Sequence, residues 1–348
     1  MKASDFSPNF PIVFASQAQD AYVRTVPQTA DTEGQASLAI GFPPVTFVQI
    51  GSGGMGPDGR DLQGILRMLS STGQRYETGC IPAFSASLAS AVGGYPLNAI
   101  VMDTSVVGLY WYSTADSNTT TPGATGASWR AIVLDQSLLG WTQIGASQYL
   151  TAPSWARYLE VIQIGGGGGG AGCQGTSDTQ SISGAGGAAG GILHTRHLLT
   201  GITSIAQYIG AGGDGSSGGI SGHKGGDTYI VLNGTTAATA GGGSGGNTYQ
   251  PGGSSGGDGG ANTLISGALI GSYAGSDGSD GQIGSHLFIG SGAPGYLGAG
   301  AGRAGSGAGQ AATSPGAGGG GAYDTSLSGT AYAGGTGAAG ACLYRWLP

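Results

Sequence analysis

The chain has 348 residues, of which 77 are glycine and only 8% are charged, with a formal net charge of −7. Because the few Lys and Arg residues are scattered, they form no basic face, and this argues against nucleic acid as a partner. The N-terminus lacks the apolar segment of a signal peptide, and no apolar run reaches membrane-spanning length. We therefore expect a soluble protein, made in a cytoplasm, with no membrane insertion.

The N-terminal part of the chain is mixed in composition, and only 17 of the 77 glycines precede residue 160. Several prolines interrupt residues 1–50 and exclude a long helix there. The stretches 12–26 and 38–51 contain short runs with the composition of β-strands. A glycine-rich elbow over 51–59 follows them.

Apolar residues recur at helical spacing in the segment RDLQGILRMLSSTGQ, which begins at Arg60. The pattern predicts a helix with Asp61 near its N-terminus and Gly73 at its end. Such a stripe either covers the core of its own chain or packs around a threefold axis, and the sequence leaves both open. The apolar positions are Leu62, Ile65, Leu66 and Leu69.

Residues 76–145 are predicted to form a small β-rich unit. Its segment 83–96 ends in a Gly-Gly-Tyr-Pro turn. The runs 98–103 and 106–114 are rich in β-branched and aromatic residues, which predicts a pair of strands.

The glycine-rich half of the chain is interrupted by strand-like segments, which a flexible linker would not need. The first and last of them bracket the region, so their pairing would close it as one unit. These segments are YLEVIQI (158–164), ITSIAQYIG (202–210), DTYIVLN (227–233), HLFIG (286–290) and CLYRWL (342–347).

Glycine runs such as 165–170 can be ordered when several extended segments lie side by side. Without side chains, their N–H and C=O groups bond sideways to neighbouring segments, and a methyl group would keep the backbones apart. Alanine is expected where a position faces outward. The sequence has neither the strict Gly-X-Y period nor the proline content of collagen. We therefore predict a polyglycine II-like helical bundle capped by β-strands.

The order of these blocks resembles the glycine-rich tail-fibre domain of bacteriophages. It runs YLEVIQIGGGGGG, GAGGAAGGILHTRHLL, ITSIAQYIGAGGDG, GGDTYIVLNG with ATAGGGSGG, and a closing CLYRWLP, over roughly residues 150–348. The middle segments MGPDGRDLQGIL and GGYPLNAIV are similar to tail fibres as well. The resemblance implies a location in the virion, adhesion to a bacterial surface, and recognition through loops at the end of stacked glycine-rich helices.

The composition, the strand-like segments and the resemblance together predict a mainly β fold with a polyglycine II-like helical bundle. The resemblance to fibres also implies a homotrimer. Residues 1–60 would be the N-terminal virion or baseplate attachment region, which binds other tail or baseplate proteins. Residues 61–150 would form a helix and a small β-rich neck domain, and 151–348 the receptor-binding tip. The protein would be assembled into the virion in the host cytoplasm. Its receptor would be a bacterial surface polysaccharide, a pilus or an outer-membrane protein.

Tyrosines among Gly, Ser, Asn and Asp are the candidate receptor-binding residues. This composition is typical of adaptable binding loops, because tyrosine adds rigid contact area at small entropic cost. The alternative is that each tyrosine fills a gap in its own domain. The candidates are Tyr249, Tyr273, Tyr296, Tyr323 and Tyr332.

The sequence shows no pattern typical of a catalytic or cofactor-binding site, so we predict neither enzymatic activity nor a cofactor. His194 and His197 lie three apart without accompanying Cys or carboxylates, so a metal site there is only a minor alternative, through an axial ion in a trimer. Asp277 and Asp280 resemble a loose calcium loop, but the terminal Glu is missing, and they are interpreted as turn residues.

Two other functions remain open at this point. One is a structural spacer or connector of the tail or baseplate that does not contact a receptor. The other is a polysaccharide depolymerase, which would need paired carboxylates, whereas Glu160 is the only glutamate after Glu77.

Overall fold

The computed structural model describes residues 10–30, 32–177, 180–248, 255–284, 290–298, 301–302, 307–326 and 328–348. The chain divides into two compact units, residues 1–106 with 111–119, and residues 107–110 with 120–348. The described part is mainly β. Its helices and strands are α1 Gly59–Glu77, α2 Ala86–Val92, β1 Ile100–Met102, β2 Leu109–Ser113, β3 Trp129–Val133, β4 Thr142–Ile144, β5 Gln148–Tyr149, β6 Tyr158–Ile164, β7 Gly175–Ser177, β8 Gln180–Ile182, β9 Ile192–Leu198, β10 Ile205–Tyr208, β11 Thr228–Leu232, β12 Thr235–Ala240, β13 Asn262–Leu264, β14 Ala268–Tyr273, β15 Ile283–Gly284 and β16 Ala341–Leu347.

Helix α1 is longer than the sequence predicted. It begins after Asp58, whose carboxylate accepts a hydrogen bond from the backbone N–H of Arg60 (2.9 Å) and so caps the first turn. Gly73 lies inside the helix, so the expectation that α1 ends there is wrong. A Cβ at Gly73 would lie 3.2 Å from the ring of Phe10, which shows that glycine serves close packing at this position.

The two β-type runs predicted before residue 52 are wrong. Within them the structure has short 3-10 turns, at Asp20–Tyr22, Pro44–Phe47 and Ile50–Ser52. In the second run, Pro43 and Pro44 lack the backbone N–H that a sheet would need. The first run contains no proline, and there local hydrogen bonds form a turn instead, such as that from the N–H of Tyr22 to the carbonyl of Gln19 (2.9 Å).

Helix α2 replaces part of the β-rich unit expected over 76–145. The side chain of Ser85 accepts a hydrogen bond from the N–H of Leu88 (3.2 Å), and Gly93 ends the helix with a φ of +80°. The neighbouring strand pair was predicted correctly, because β1 and β2 are adjacent in a sheet of order β1-β2-β3.

Two five-stranded sheets enclose the hydrophobic core of the second unit. Their strand orders are β13-β12-β11-β10-β5 and β14-β9-β6-β16-β4. Leu159, Val161 and Leu193 of one sheet pack with Ile230 and Leu232 of the other. The predicted pairing of the first and last strand segments is confirmed, since β6 and β16 are antiparallel neighbours.

The glycine-rich residues that follow β6, 165–173, are called the central segment here. They form hydrogen bonds to six neighbouring described segments with a period of three residues. The N–H groups of residues 165, 168 and 171 donate to 191, 188 and 185, those of 166, 169 and 172 to 226, 223 and 220, and those of 167, 170 and 173 to 338, 335 and 332. The carbonyls accept in the same way from the N–H groups of 213 and 216, 243 and 246, and 319 and 322.

Close backbone packing explains why glycine fills this region. A Cβ at Gly168 would overlap the carbonyl oxygen of Ser244, and one at Gly169 would overlap that of Asp214. The expectation that alanines face outward is wrong, however. Ala185 and Ala188 are fully buried, so some interior positions of the packing have room for a methyl group.

All three cysteines are free. Cys80 is exposed, whereas Cys173 and Cys342 are buried. Burial raises the pKa of both buried thiols above the ordinary value, so these two side chains behave as small apolar groups.

Replacing Gly168 with alanine should destabilise the second unit severely. The new methyl group must displace the Ser244 backbone and weaken the hydrogen bonds of the central segment. We expect the free energy of unfolding to fall by about 2–4 kcal/mol, measured by urea denaturation. The matched control is Gly145→Ala, where nothing lies within 4 Å of the added Cβ. Equal stability of the two variants would contradict this account of the glycines.

Candidate functional site: the surface of the glycine-rich domain

One end of the glycine-rich region lies at Cys173, farthest along the central segment from β6. We call it the loop end, with Cys173, Ile220, Tyr323 and Tyr332 as its described members. Cys173 and Tyr332 exchange backbone hydrogen bonds of 3.0 and 3.1 Å, and the N–H of residue 172 donates to the carbonyl of Ile220 (3.1 Å). The small sheet β15-β8-β7 also connects to this end. The chain leaves β8 at Ser183, and the carbonyl of Ala185 already accepts a hydrogen bond from residue 171 of the central segment. Chain reversals therefore gather here.

The structure brings two of the five predicted tyrosines together at the loop end. Tyr323 exchanges backbone hydrogen bonds with Gly307 (2.6 and 2.8 Å), and a Cβ at Gly307 would lie 3.4 Å from the ring of Tyr332. Both tyrosines are half-buried. Their side chains therefore contribute to packing and still present part of their surface to solvent.

Two further candidates are more exposed and lie elsewhere. Tyr273 ends β14 opposite Ile192, close to where β6 enters the central segment, and its side chain is 62% exposed. Tyr296 is 53% exposed, in a turn closed by Gly295 and Gly298. No ring contact joins these two tyrosines in the described residues. The fifth candidate, Tyr249, lies outside the residues that the structure describes.

Asp277 and Asp280, considered above as a loose calcium loop, bind backbone groups instead. Asp277 Oδ1 accepts a hydrogen bond from the N–H of Gly259, and Asp280 Oδ1 accepts one from the N–H of Gly256, both at 2.8 Å. The two aspartates and the two glycines are each spaced three residues apart. The carboxylates thus satisfy two backbone N–H groups of the glycine-rich network of hydrogen bonds, called the backbone lattice here.

The two histidines of HTRH lie on opposite faces of β9 and do not converge on one ion. His197 is buried between the sheets, with Nε2 2.9 Å from Oγ1 of Thr195. Burial lowers the pKa of His197 from 6.5 to about 4, so the imidazole is neutral at physiological pH. Across the described parts of the chain, no group of three or more His, Cys, Asp or Glu side chains is arranged to hold a metal.

His194 belongs to a charged cluster on the outer face of its sheet. Register places Arg196, Glu160 and Arg345 directly opposite one another on the adjacent strands β9, β6 and β16. Glu160 binds Arg196 Nη2 at 2.9 Å, Arg345 Nη2 at 3.2 Å and His194 Nε2 at 2.8 Å. We call these four residues, together with Trp141, the arginine cluster.

Trp141 lies beside the charged residues, just before β4. Its ring centroid is 4.6 Å from the guanidinium carbon of Arg345 and 5.9 Å from the ring of His194. The cation–π contact holds the Arg345 side chain against the sheet.

The arginine cluster keeps Glu160 ionised although this side chain is only 3% exposed. Burial raises the pKa of Glu160, but hydrogen bonds from His194 and Arg196 and the positive charges of both arginines outweigh it, and the net shift is downward. The carboxylate is therefore negatively charged and balanced within the cluster.

Sequence reasoning had found only His194 of this cluster. The available signal was the two-residue spacing of His194 and Arg196, which places both side chains on the same face of β9. The contact itself depends on the register between strands that are 34 to 185 residues apart, and a single sequence does not give that register.

The fold and the backbone lattice define a glycine-rich β-domain. A family model described as a glycine-rich domain matches residues 142–347, which is more than half of the chain. The chain therefore belongs to this family. No curated protein matches the chain. Among the described residues, no helix has the length and apolar character to cross a membrane.

The buried His197 should make the protein less stable in acid. Between pH 6.5 and about 4 the unfolded chain binds a proton that the folded chain does not, so stability falls as pH falls through this window. The loss from this residue should approach about 3 kcal/mol. Unfolding by urea at pH 7, 5.5 and 4.5 measures it.

A leucine at this position removes the titration, so His197→Leu should show a shallower loss of stability over this range than the wild type. His223→Leu changes an exposed histidine and is the control. Parallel pH profiles for the wild type and His197→Leu would contradict the burial of a neutral imidazole.

Proposed function

We propose that the chain is a bacteriophage tail-fibre protein that attaches the virion to a bacterial surface receptor without catalysis. The observation that carries the proposal is the gathering of chain reversals at one end of a densely hydrogen-bonded, side-chain-poor lattice. Such a lattice holds its ends rigidly, and loops on a rigid scaffold are a common place for recognition. The family match supports the domain type, and the resemblance of the block order to tail fibres supports the biological role.

The glycine-rich segments, in this proposal, are a bundle of polyglycine II-type helices. A backbone helix of this type has three residues per turn and no internal hydrogen bonds. The three-residue period of the central segment and its six neighbours support this geometry, since successive N–H groups then point in three directions. Lateral bonds make the bundle stiff without a large hydrophobic core.

Receptor contacts would come from Tyr323 and Tyr332 at the loop end and from the exposed Tyr273 and Tyr296 on the flank. Tyr249, which lies outside the described residues, stays a candidate from the sequence. Each copy would contribute several weak contacts, and repetition over the copies of an oligomer would raise the overall affinity. The receptor class is a surface polysaccharide, a pilus or an outer-membrane protein.

Exposed residues on α1 support assembly into a homotrimer. Leu62, Leu66, Leu69 and Tyr76 are all exposed to solvent. Their spacings of four, three and seven residues are those of the seam of a coiled coil. This stripe would pack around a threefold axis, and the N-terminal residues 1–60 would join other tail or baseplate proteins in the virion.

A spacer that stiffens the tail without receptor contact is the alternative. The lattice alone serves that role equally well, because it needs no exposed aromatic residue. Receptor binding is preferred because Tyr273 and Tyr296 leave large aromatic surfaces in solvent, where a spacer gains nothing from them.

Binding of the fluorescently labelled full-length protein to a panel of bacterial strains tests the function. We expect saturable binding to some strains and none to others. Tyr249→Ala and Tyr332→Ala should weaken binding about tenfold, as for aromatic residues at the centre of an interface. Tyr149→Ala removes an exposed tyrosine outside the candidates and is the control. Absence of binding to every strain would favour the spacer.

Charged substitutions in the α1 stripe should dissociate the oligomer. Leu66→Glu and Leu69→Glu each remove about 1.5–3 kcal/mol of apolar burial at the seam, so association should weaken at least tenfold. Sedimentation velocity across a concentration series measures the change. Ser71→Glu places the same charge on the opposite side of α1 and should leave the mass unchanged. A monomeric wild-type protein would rule out the trimer.

A further inference from the structure

The arginine cluster presents more positive than negative charge to solvent. Arg196 and Arg345 face a single carboxylate, that of Glu160, and no other acidic side chain forms an ion pair with them in the described residues. The side chains of the two arginines are 44% and 31% exposed, whereas that of Glu160 is 3% exposed. A ligand approaching this face of an otherwise acidic protein therefore meets positive charge.

The guanidinium groups retain unused hydrogen-bond donors. Each carries five N–H groups in a planar fork that matches a carboxylate or phosphate. Arg196 and Arg345 each use one nitrogen, Nη2, to bind Glu160. The Nε of Arg345 is buried, so a ligand at the surface would meet the Nη groups of this side chain. An oxyanion seated on the exposed edges of the two forks would add the acceptors that Glu160 does not supply.

The cluster also offers an aromatic surface beside these donors. Trp141 is 38% exposed, and its ring is fixed between Arg345 and His194. Its exposed part can receive the apolar face of a sugar ring while a substituent of that ring reaches the arginines. Aromatic surface and guanidinium donors at this separation suit a ring with an acidic group better than a bare ion.

A purely structural role explains only part of the arrangement. One guanidinium and one imidazole would be enough to neutralise a single carboxylate in the sheet. The second guanidinium leaves the cluster with one more positive than negative charge, and the side chains of both arginines reach solvent. Glu160 thus serves to hold both forks in place, and the excess charge is directed outward.

We propose that the arginine cluster is a binding site for a saccharide ring that carries a carboxylate or a phosphate. Arg196 and Arg345 would bind the oxyanion, Trp141 would pack on the ring, and Glu160 would position the two guanidinium groups. This inference rests on the proposed function in so far as it names a ligand class for host attachment. The site itself is a property of the purified protein.

The test measures binding of the full-length protein to three defined saccharides by isothermal titration calorimetry and by tryptophan fluorescence. The probes are galacturonate oligomers, glucose 6-phosphate and neutral glucose oligomers, with inorganic phosphate as the bare anion. We expect at least one acidic saccharide to bind, with affinity that falls as salt is added. The neutral oligomers should not bind. Binding of neutral and acidic probes with the same affinity would overturn the assignment, and so would equal binding of inorganic phosphate.

Variants separate the site from the fold. Arg196→Gln removes the more exposed arginine and leaves Arg345 and His194 on Glu160, so the sheet should stay folded. We expect at least a tenfold weaker affinity for the acidic saccharide, and a similar loss in Trp141→Leu. Lys224→Gln, which removes an exposed positive charge elsewhere in the same unit, is the matched control.

Unchanged affinity in Arg196→Gln would overturn the proposal, as would an equal loss in Lys224→Gln. Thermal unfolding of each variant confirms that the protein is folded. Because the probes are free saccharides and no cells are used, a negative result rejects this site without deciding host attachment. Conversely, a protein that binds acidic saccharides but no bacterial strain keeps the site and loses the proposed function.

Discussion

The close approach of backbones around the central segment is the constraint on which the rest of the second unit depends. Residues 165–173 have no room for a Cβ at most positions, and their N–H and C=O groups are satisfied by six other segments. Each such bond is worth only about 0.5–1.5 kcal/mol net, so the lattice requires many of them together. A low charge content and a high glycine content follow from this geometry, since charged side chains have no place between such segments.

A lattice without side chains has little means of fixing its own register, because register is weakly specified in glycine-rich strands. The β-sandwich supplies that information. Ile164 of β6 pairs with Ile192, and the next residue, Gly165, donates to the carbonyl of Gly191. On the other side Ile164 pairs with Ala341, and Gly167 donates to the carbonyl of Ala338. The side chains of the sheet therefore set the alignment that the glycine segments continue.

Sequence alone predicted the features that depend on local pattern. The strands β6, β10, β11 and β16 have β-branched and aromatic composition, and the pairing of β6 with β16 followed from their positions at the two ends of the region. Features that depend on tertiary contact were missed. Gly73 lies inside α1 and packs against the ring of Phe10, a contact between residues 63 positions apart that local pattern does not give. Of the arginine cluster only His194 was found, because a residue pair such as Glu160 and Arg345 meets through register.

The same physics restricts where recognition can occur. The interior of the lattice consists of backbone and methyl groups, so any selective contact must use side chains at its borders. Among the described residues, two places carry groups of such side chains. At the loop end Tyr323 and Tyr332 surround Gly307, and on the sheet the arginine cluster faces solvent from the side opposite the hydrophobic core. These surfaces differ in kind, since one is neutral and aromatic and the other is cationic. Under the proposed function, a receptor that carries both acidic sugars and apolar patches would engage the two surfaces together, at a distance set by the lattice between them.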